Sequence, residues 1–401
     1  MIVNADLHIH SPFSKHSEIE NNFKILSTNA EKKGLDFIAT GDCLHPQWLK
    51  TIATLTPLDE GTLRGYNTSY ILSSEVQTDD GVHHLVYFPD LTSLYDFREN
   101  LRSVNVDFTK GRPIIPVTSE TLAHYALNAM ALIGPAHIFD PFTGLYSLYD
   151  NLQNCYGSAT PHIYFVELGL GIDSYHADFI RELHTVTYIT NSDTHNPHPI
   201  RLGREFTQFT VKEPRCRYLF EAIKRKNQNK PVLNVGFPPE EGKYYQTGCN
   251  KCQKYYTLKT AKRRKWKCTC GGTIKKGIKE RIIEQSSTSQ YHCPYHRPIY
   301  LSLLPLHEII TRALQQQNPF VETVEHCYNN LISTFGDEIH ILLETPIENI
   351  RASTYASIAD LIELFRMATF DYNKGGGGIY GSLKLPDTVE STLKSSKIIK
   401  S

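Results

Sequence analysis

Short apolar runs in the first half of this chain end, one after another, on a histidine, aspartate or glutamate. Ile2 to Leu7 leads into His8-Ile9-His10, Leu35 to Ala39 into Thr40-Gly41-Asp42-Cys43, and Tyr70 to Leu72 into Ser73-Ser74-Glu75. Val82-His83-His84-Leu85-Val86-Tyr87 is another strand-like stretch. Ala131 to Ala136 delivers His137, Ile163 to Val166 delivers Glu167, and Tyr188-Ile189-Thr190 delivers Asn191-Ser192-Asp193-Thr194-His195. Strand side chains alternate faces, so His8 and His10 point the same way. Stretches with helical spacing, such as Phe23 to Lys33 and Leu122 to Met130, lie between several of the runs. Strands alternating with helices predict an α/β fold whose sheet is parallel, with crossover connections. Polar side chains at the C-terminal strand ends are where barrel enzymes place their chemistry. Isolated core histidines would not place polar residues so regularly at the strand exits.

The set DLHIH, GLDFIATGD, SSE, VHHLVYF, GPAH and NSDTH resembles the PHP family of metal-dependent phosphoesterases, over residues 1–235. That resemblance implies a distorted seven-stranded β/α barrel around two or three divalent metals. By position, His8, His10, Glu75 and Asp193 match the ligands of one metal. Glu75 also matches the bridge to a second, held with His83 and His137, and His16, Asp42 and His195 match the third. Many members carry histidine where this chain has Cys43, which leaves Asp42, Cys43 and His45 all open as ligands of that third site. His84 faces away from His83 on an alternating strand and reads as a packed or capping residue.

Such a crowd has a chemical purpose. A phosphodiester is anionic and repels hydroxide, so its hydrolysis needs cations that neutralise its oxygens and generate hydroxide at neutral pH. Mixed imidazole and carboxylate ligands suit Zn²⁺, Mn²⁺ or Fe²⁺ better than Mg²⁺. On the implied mechanism Glu75, Asp193 and His10 are the catalytic residues: Glu75 bridges metals that activate a water, and Asp193 both holds metal and orients that water. Arg201 and Arg204, just beyond, are candidate phosphate contacts.

A chain of 401 residues with zero formal net charge has room for two or three domains. It shows no apolar segment long enough for a membrane span and no signal-peptide pattern, since Asn4, Asp6 and His8 interrupt the N-terminus. Four of its nine cysteines are bunched, a pattern suited to metal binding in a reducing compartment, so the cytoplasm is expected. The neutral balance hides a basic block from Lys243 to Arg281, in which Glu280 is the single acid. Such a block attracts polyanions in a salt-dependent way, and Lys262, Arg263 and Arg264 are its candidate DNA contacts. Cys249, Cys252, Cys268 and Cys270 frame the block and predict one structural zinc, with Cys293 as the replacement if Cys268 and Cys270 cannot both reach. Tyr244, Tyr245, Tyr255, Tyr256 and Trp266 interleave with the lysines, offering rings for bases as well as a small core.

Beyond this ribbon, Pro298 to Asn318 begins extended and turns helical, Val321 to Phe335 repeats the helical stripe, and Ile350 to Met367 offers a further helix. Gly375 to Gly381 lacks the context of a nucleotide P-loop and reads either as a flexible linker or as backbone that approaches a phosphate closely. The expected organisation is a barrel at 1–235, a basic zinc ribbon at 243–285, a helical domain with the glycine run at 295–385 and a mobile tail at 387–401.

In this order the modules resemble the endonuclease Q family. That resemblance implies a DNA repair nuclease cutting the phosphodiester 5′ to hypoxanthine, uracil, xanthine or abasic sites, and leaving 3′-hydroxyl and 5′-phosphate ends. Damaged DNA is then the partner, its lesion flipped into a pocket that the sequence does not locate. A sliding clamp is a further partner for such a nuclease, although no clamp-binding peptide stands out near the C-terminus. Two other readings compete: a histidinol-phosphate type phosphatase, with no use for a basic ribbon, and a non-catalytic nucleic-acid scaffold.

Overall fold

The computed structural model describes residues 1–20, 22–286, 291–368 and 371–384; the tail expected to be mobile lies outside the described residues. Its largest sheet has eleven strands and is mixed. Strands β1 (Ile2–Asp6), β2 (Phe37–Ala39) and β3 (Thr68–Thr78) run parallel as neighbours. Strand β3 turns directly into antiparallel β4 (His83–Phe88), which pairs antiparallel with β5 (Leu132–Pro135). Strands β6 (Phe165–Glu167) and β7 (Thr187–Ile189) form a separate parallel pair. On the far side of β1 lie β8 (Phe206–Thr210) and β9 (Lys230–Gly236), both antiparallel to their predecessors, and β9 accepts the later strand Ile299–Ser302 in parallel. The all-parallel expectation is therefore corrected. A parallel crossover needs about a dozen residues, and the link Asp79–Val82 between β3 and β4 allows only a hairpin.

That hairpin aims the site. Gln77 stands opposite His83 and Glu75 opposite Leu85, so all four share one face, while His84 stands opposite Val76 on the other. Backbone bonds then tie one strand exit to the next: Ala136 N–H to the His83 carbonyl, Ile138 to Glu167, Leu168 to Ile189 and His10 to Thr194. Alternation sorts the apolar residues as well. Val3, Ala5, Leu7, Phe37, Ile71, Leu85 and Phe165 form one buried cluster, and their neighbours Ile38, Leu72, Val86 and Val166 pack in another. The surrounding helices include α1 (Lys24–Lys33) and α2 (Ser119–Asn128), close to the expected positions.

The C-terminal helices pack onto this body. The stripe Leu306, Ile309, Ile310 and Ala313 of α3 (Leu306–Ala313), with Ile358, Leu361, Ile362 and Phe365 of α6 (Ala356–Met367), joins the same buried cluster as Leu26 and Ala30 of α1. Helix α4 (Glu322–Phe335) ends at Gly336, where φ is 102°. Helix α5 (Glu338–Leu343), capped by the Asp337 carboxylate on the His340 N–H, has no counterpart in the sequence reading. The helix expected over Ile350 to Met367 is broken: Ile347–Ser353 stops at extended Thr354, and α6 starts after Tyr355.

One buried ion pair crosses this seam. Lys33 Nζ lies 2.6 Å from Glu338 Oε1 and 2.9 Å from the Pro199 carbonyl, and both side chains are buried. Removing one partner leaves an uncompensated buried charge, so Lys33→Met is expected to cost about 3–5 kcal/mol, while adding Glu338→Leu restores most of the loss. Urea unfolding of the two variants checks both statements.

The ribbon keeps a core of its own, built from Cys249, Tyr256, Ala261, Cys268 and Ile274. The glycine run is not a linker but is laid against this ribbon. Gln246 N–H bonds the Gly375 carbonyl, and Gly378 N–H bonds that of Lys243. A Cβ on Gly377 would stand 2.7 Å from the Cys249 carbonyl oxygen, and one on Gly376 2.6 Å from that of Gln246. Glycine is required there because two backbones touch.

Candidate metal centre

The strand exits bring seven of the expected side chains into one cluster. Glu75 stands at its middle and uses its two oxygens differently. Oε1 lies 2.7 Å from His83 Nδ1 and 3.0 Å from His137 Nε2. Oε2 lies 3.5 Å from His10 Nε2, 3.9 Å from His8 Nε2 and 2.9 Å from Arg112 Nη1. Asp193 Oδ1 closes the second side, 3.0 Å from His10 Nε2 and 3.3 Å from His8 Nε2. His195 stacks on His10 with ring centroids 4.1 Å apart and joins the group formed with Asp193.

The rings are held from behind. His8 Nδ1 is 3.0 Å from both oxygens of Glu167, which also accepts from Asn191 Nδ2 and from the His137 N–H. His10 Nδ1 is 3.1 Å from Ser14 Oγ and 3.4 Å from Asp42 Oδ1. His83 Nε2 is 3.2 Å from Gln77 Oε1. Each outer nitrogen thus donates to an oxygen, which leaves the lone pair of the inner nitrogen facing a carboxylate. Lone pair against carboxylate is repulsive unless a proton or a cation stands between them, so the donor set fits divalent metal. His8 Nε2, which faces the carboxylates, has no hydrogen-bond partner, in keeping with that role.

The electrostatics agree. Burial alone would raise the Glu75 carboxyl, yet the charge of His83 and the hydrogen bond from His137 hold it well below the carboxylate range. Burial is likewise overcome at Asp193 by His8 and His10. His137 is pulled down by burial but lifted further by Glu75, to about 9. Burial and the charge of His10 bring His195 down to about 4. The carboxylates demand positive charge among the imidazoles, which protons or a divalent cation can supply.

Backbone strain accompanies the aim. Asp42, His137 and Asp193 have φ of 43°, 28° and 49°, a region that costs most residues energy and recurs at functional sites.

Two expected ligands stand elsewhere. His16, with φ of 61°, is exposed and belongs to none of the ligand groups among the described residues. Asp42 lies behind His10, accepting from the Ser11 N–H at 2.7 Å and the Ser14 hydroxyl at 2.9 Å, so it orients rather than faces the cluster. The alternatives at this corner are also engaged. Cys43 is buried in the core, with its thiol pushed up by burial. His45 caps a helix through Nδ1 and meets the Thr109 carbonyl through Nε2. His84 is packed as expected, bonded to the Tyr156 hydroxyl at 2.8 Å. Glu167, Asn191 and Arg112 were not chosen from sequence as site residues; a strand-end glutamate was the available signal for Glu167, and nothing marked Arg112.

Beside the cluster opens a cavity of about 730 Å³. Its walls come from three parts of the chain: His83, Arg112, His137, Asp193, Arg201 and Arg204 from the barrel region, Lys243 and Tyr244 from the base of the ribbon, and Arg312 and Tyr380 from the C-terminal part. Arg204 donates to the Ser192 carbonyl at 3.0 Å. Arg312 is fixed by a two-pronged contact with Glu241 at 2.8 and 2.9 Å. Arg263 and Arg264 are exposed on the ribbon, whereas Lys262 is tied to Glu284. Among the ribbon's rings, Tyr256 and Trp266 serve its core and Tyr245 is buried against His176.

The four ribbon cysteines converge. Cys249 and Cys270 sulfurs are 3.5 Å apart, as are those of Cys252 and Cys268, and one ligand atom from each lies within 4.8 Å of the others. Zn–S bonds of about 2.3 Å in a tetrahedron put sulfurs roughly 3.8 Å apart, so the shortened second pair reaches and the exposed Cys293 has no part in the group.

Residues 305–369 match the family model described as the MJ0043 C-terminal domain. The whole chain is similar to the structure of the lesion-specific endonuclease PfuEndoQ from Pyrococcus furiosus, with a TM-score of 0.93, 40% identity and 97% of each chain covered. It is equally similar to endonuclease Q in complex with a 27-mer duplex carrying an abasic lesion at the active site, with a TM-score of 0.90, 40% identity, and 97% of this chain and 98% of that one covered. The protein MJ0043 of Methanocaldococcus jannaschii is 38% identical over 259 residues, 63% of this chain but only 32% of its own length.

Proposed function

The chain belongs to the endonuclease Q family, and from that premise we propose that it is a metal-dependent DNA repair endonuclease acting 5′ to deaminated or abasic nucleotides. The observation that carries the proposal is Glu75, whose two oxygens face two separate sets of imidazoles beside a cavity walled with cations and rings. His8, His10, Glu75 and Asp193 would hold one metal and Glu75, His83 and His137 a second; His195, grouped with His10 and Asp193, is the best candidate for a third. When bound, such ions neutralise the phosphodiester and make water acidic enough to attack at neutral pH. Asp193 orients the attacking water. Arg112, Arg201 and Arg204 meet the phosphate, and Tyr244 and Tyr380 stack on the lesion after it leaves the duplex. We read the ring from β1 to β7 as the distorted seven-stranded barrel; the backbone bonds that join one strand exit to the next support this.

The four cysteines hold a structural zinc, and the surrounding lysines and arginines bind the DNA backbone. Four cysteines gathered for one metal suit a reducing compartment such as the cytoplasm. No helix among the described residues is long and apolar enough to cross a membrane.

A labelled duplex carrying deoxyinosine, assayed beside a free phosphomonoester, tests the reading. Nicking without phosphate release supports it. Phosphate release without nicking overturns it in favour of a small-molecule phosphatase, and binding without either reaction leaves a scaffold.

A further inference from the structure

A second group of imidazole and carboxylate ligands lies outside the centre described above, where the loop beyond His195 meets the C-terminal helices. His198 comes from that loop, His307 from α3 and Glu325 from α4. Glu325 Oε1 is 3.7 Å from His198 Nε2 and 3.4 Å from His307 Nε2, and one ligand atom from each residue lies within 4.8 Å of the others. Bonds of about 2.0–2.2 Å to a tetrahedral zinc put ligand atoms roughly 3.3 Å apart, so these distances fit with little movement.

The telling residue is His307. It is 1% exposed, and neither ring nitrogen has a hydrogen-bond partner. A buried polar group left in this way costs about 1–3 kcal/mol, and a histidine serving only as packing would be expected to find a carbonyl or hydroxyl. Its ring is clamped by stacking on Tyr328, centroids 3.7 Å apart, with the His198 ring at 4.8 Å. Burial, helped by the charges of His198 and Lys33, lowers the basicity of this ring.

We propose that His198, His307 and Glu325 bind a divalent transition-metal ion, zinc by ligand type, which clamps the C-terminal helices to the loop that follows Asp193 and His195. Two imidazoles and one carboxylate suit zinc and exclude a magnesium preference. His198 and Glu325 are partly exposed, which leaves the fourth position to water. Binding requires one rearrangement. His198 Nδ1 accepts from the Ile200 N–H at 3.2 Å, so ligation through Nε2 moves the ring proton to Nδ1 and gives up that contact, a loss of about 1 kcal/mol.

The test uses the full chain, stripped with chelator, reloaded with Zn²⁺ and crystallised, with data collected at the zinc absorption edge. An anomalous peak between His198, His307 and Glu325 is expected, together with the loss of one zinc per chain in Glu325→Gln and in His307→Leu. Zinc should also raise the melting temperature of the wild type by more than that of either variant. No peak at this point while the thiolate group is filled, or equal zinc content in wild type and Glu325→Gln, overturns the proposal. Glu325 is partly exposed, so its variant keeps the test decisive if His307→Leu does not fold.

Discussion

Asp193→Asn is expected to abolish strand cleavage, by about 10³-fold or more, the rate equivalent of ~4 kcal/mol, while affinity for lesion-bearing DNA stays within a factor of a few. The reason lies in one atom. Asp193 Oδ1 meets both His8 and His10, at 3.3 and 3.0 Å, and their charge overcomes burial to hold the carboxyl ionised. Asparagine keeps the shape and tolerates the left-handed backbone at φ 49°, so the fold survives. What goes is the anionic ligand. The cations proposed to bind DNA, on the ribbon and along the cavity, are untouched. Single-turnover cleavage beside a binding titration separates the two effects, and near-normal cutting by this variant would remove Asp193 from the chemistry.

The paired change Cys249→Ser and Cys268→Ser is expected to unfold the ribbon and lower DNA affinity by an order of magnitude or more. Five buried residues, with Trp266 and Cys270 packed against them, make up the ribbon's core, too few to fold a module of this size unaided. A structural zinc contributes about 10–16 kcal/mol to such modules. Loss of such an ion would scatter Arg263 and Arg264 and loosen the Gly375–Gly381 backbone and the Lys243 and Tyr244 wall of the cavity. Because each phosphate contact adds roughly 0.9 to the slope of log affinity against log salt, that slope should flatten. Unchanged affinity and unchanged salt dependence in the double variant would refute the ribbon's part in binding.

The clustering of side chains at the strand exits was legible because period-two alternation fixes which of them share a face, as Glu75 and His83 do. The antiparallel hairpin was hidden by a general rule about alternating elements, although the short Asp79–Val82 link already excluded a crossover. His16 and Asp42, matched by position alone, stand away from the cluster, one turned outward and the other behind His10. Arg112 sits in a loop without pattern, and its place on Glu75 depends on packing that no local spacing encodes. The glycine run is instructive in another way. Its composition pointed to freedom of the backbone, and the structure uses that freedom for close approach to the ribbon rather than for motion.

Cutting of DNA at damaged nucleotides by the Glu75 cluster is tested on an end-labelled duplex carrying deoxyinosine, deoxyuridine or an abasic site, incubated with Mg²⁺, Mn²⁺ or chelator, with the cut mapped to the nucleotide. A metal-dependent nick on the 5′ side of each lesion, ending in 3′-hydroxyl and 5′-phosphate, is expected, with the undamaged control intact. Equal cutting of the undamaged duplex, or full cutting in excess chelator, would contradict it.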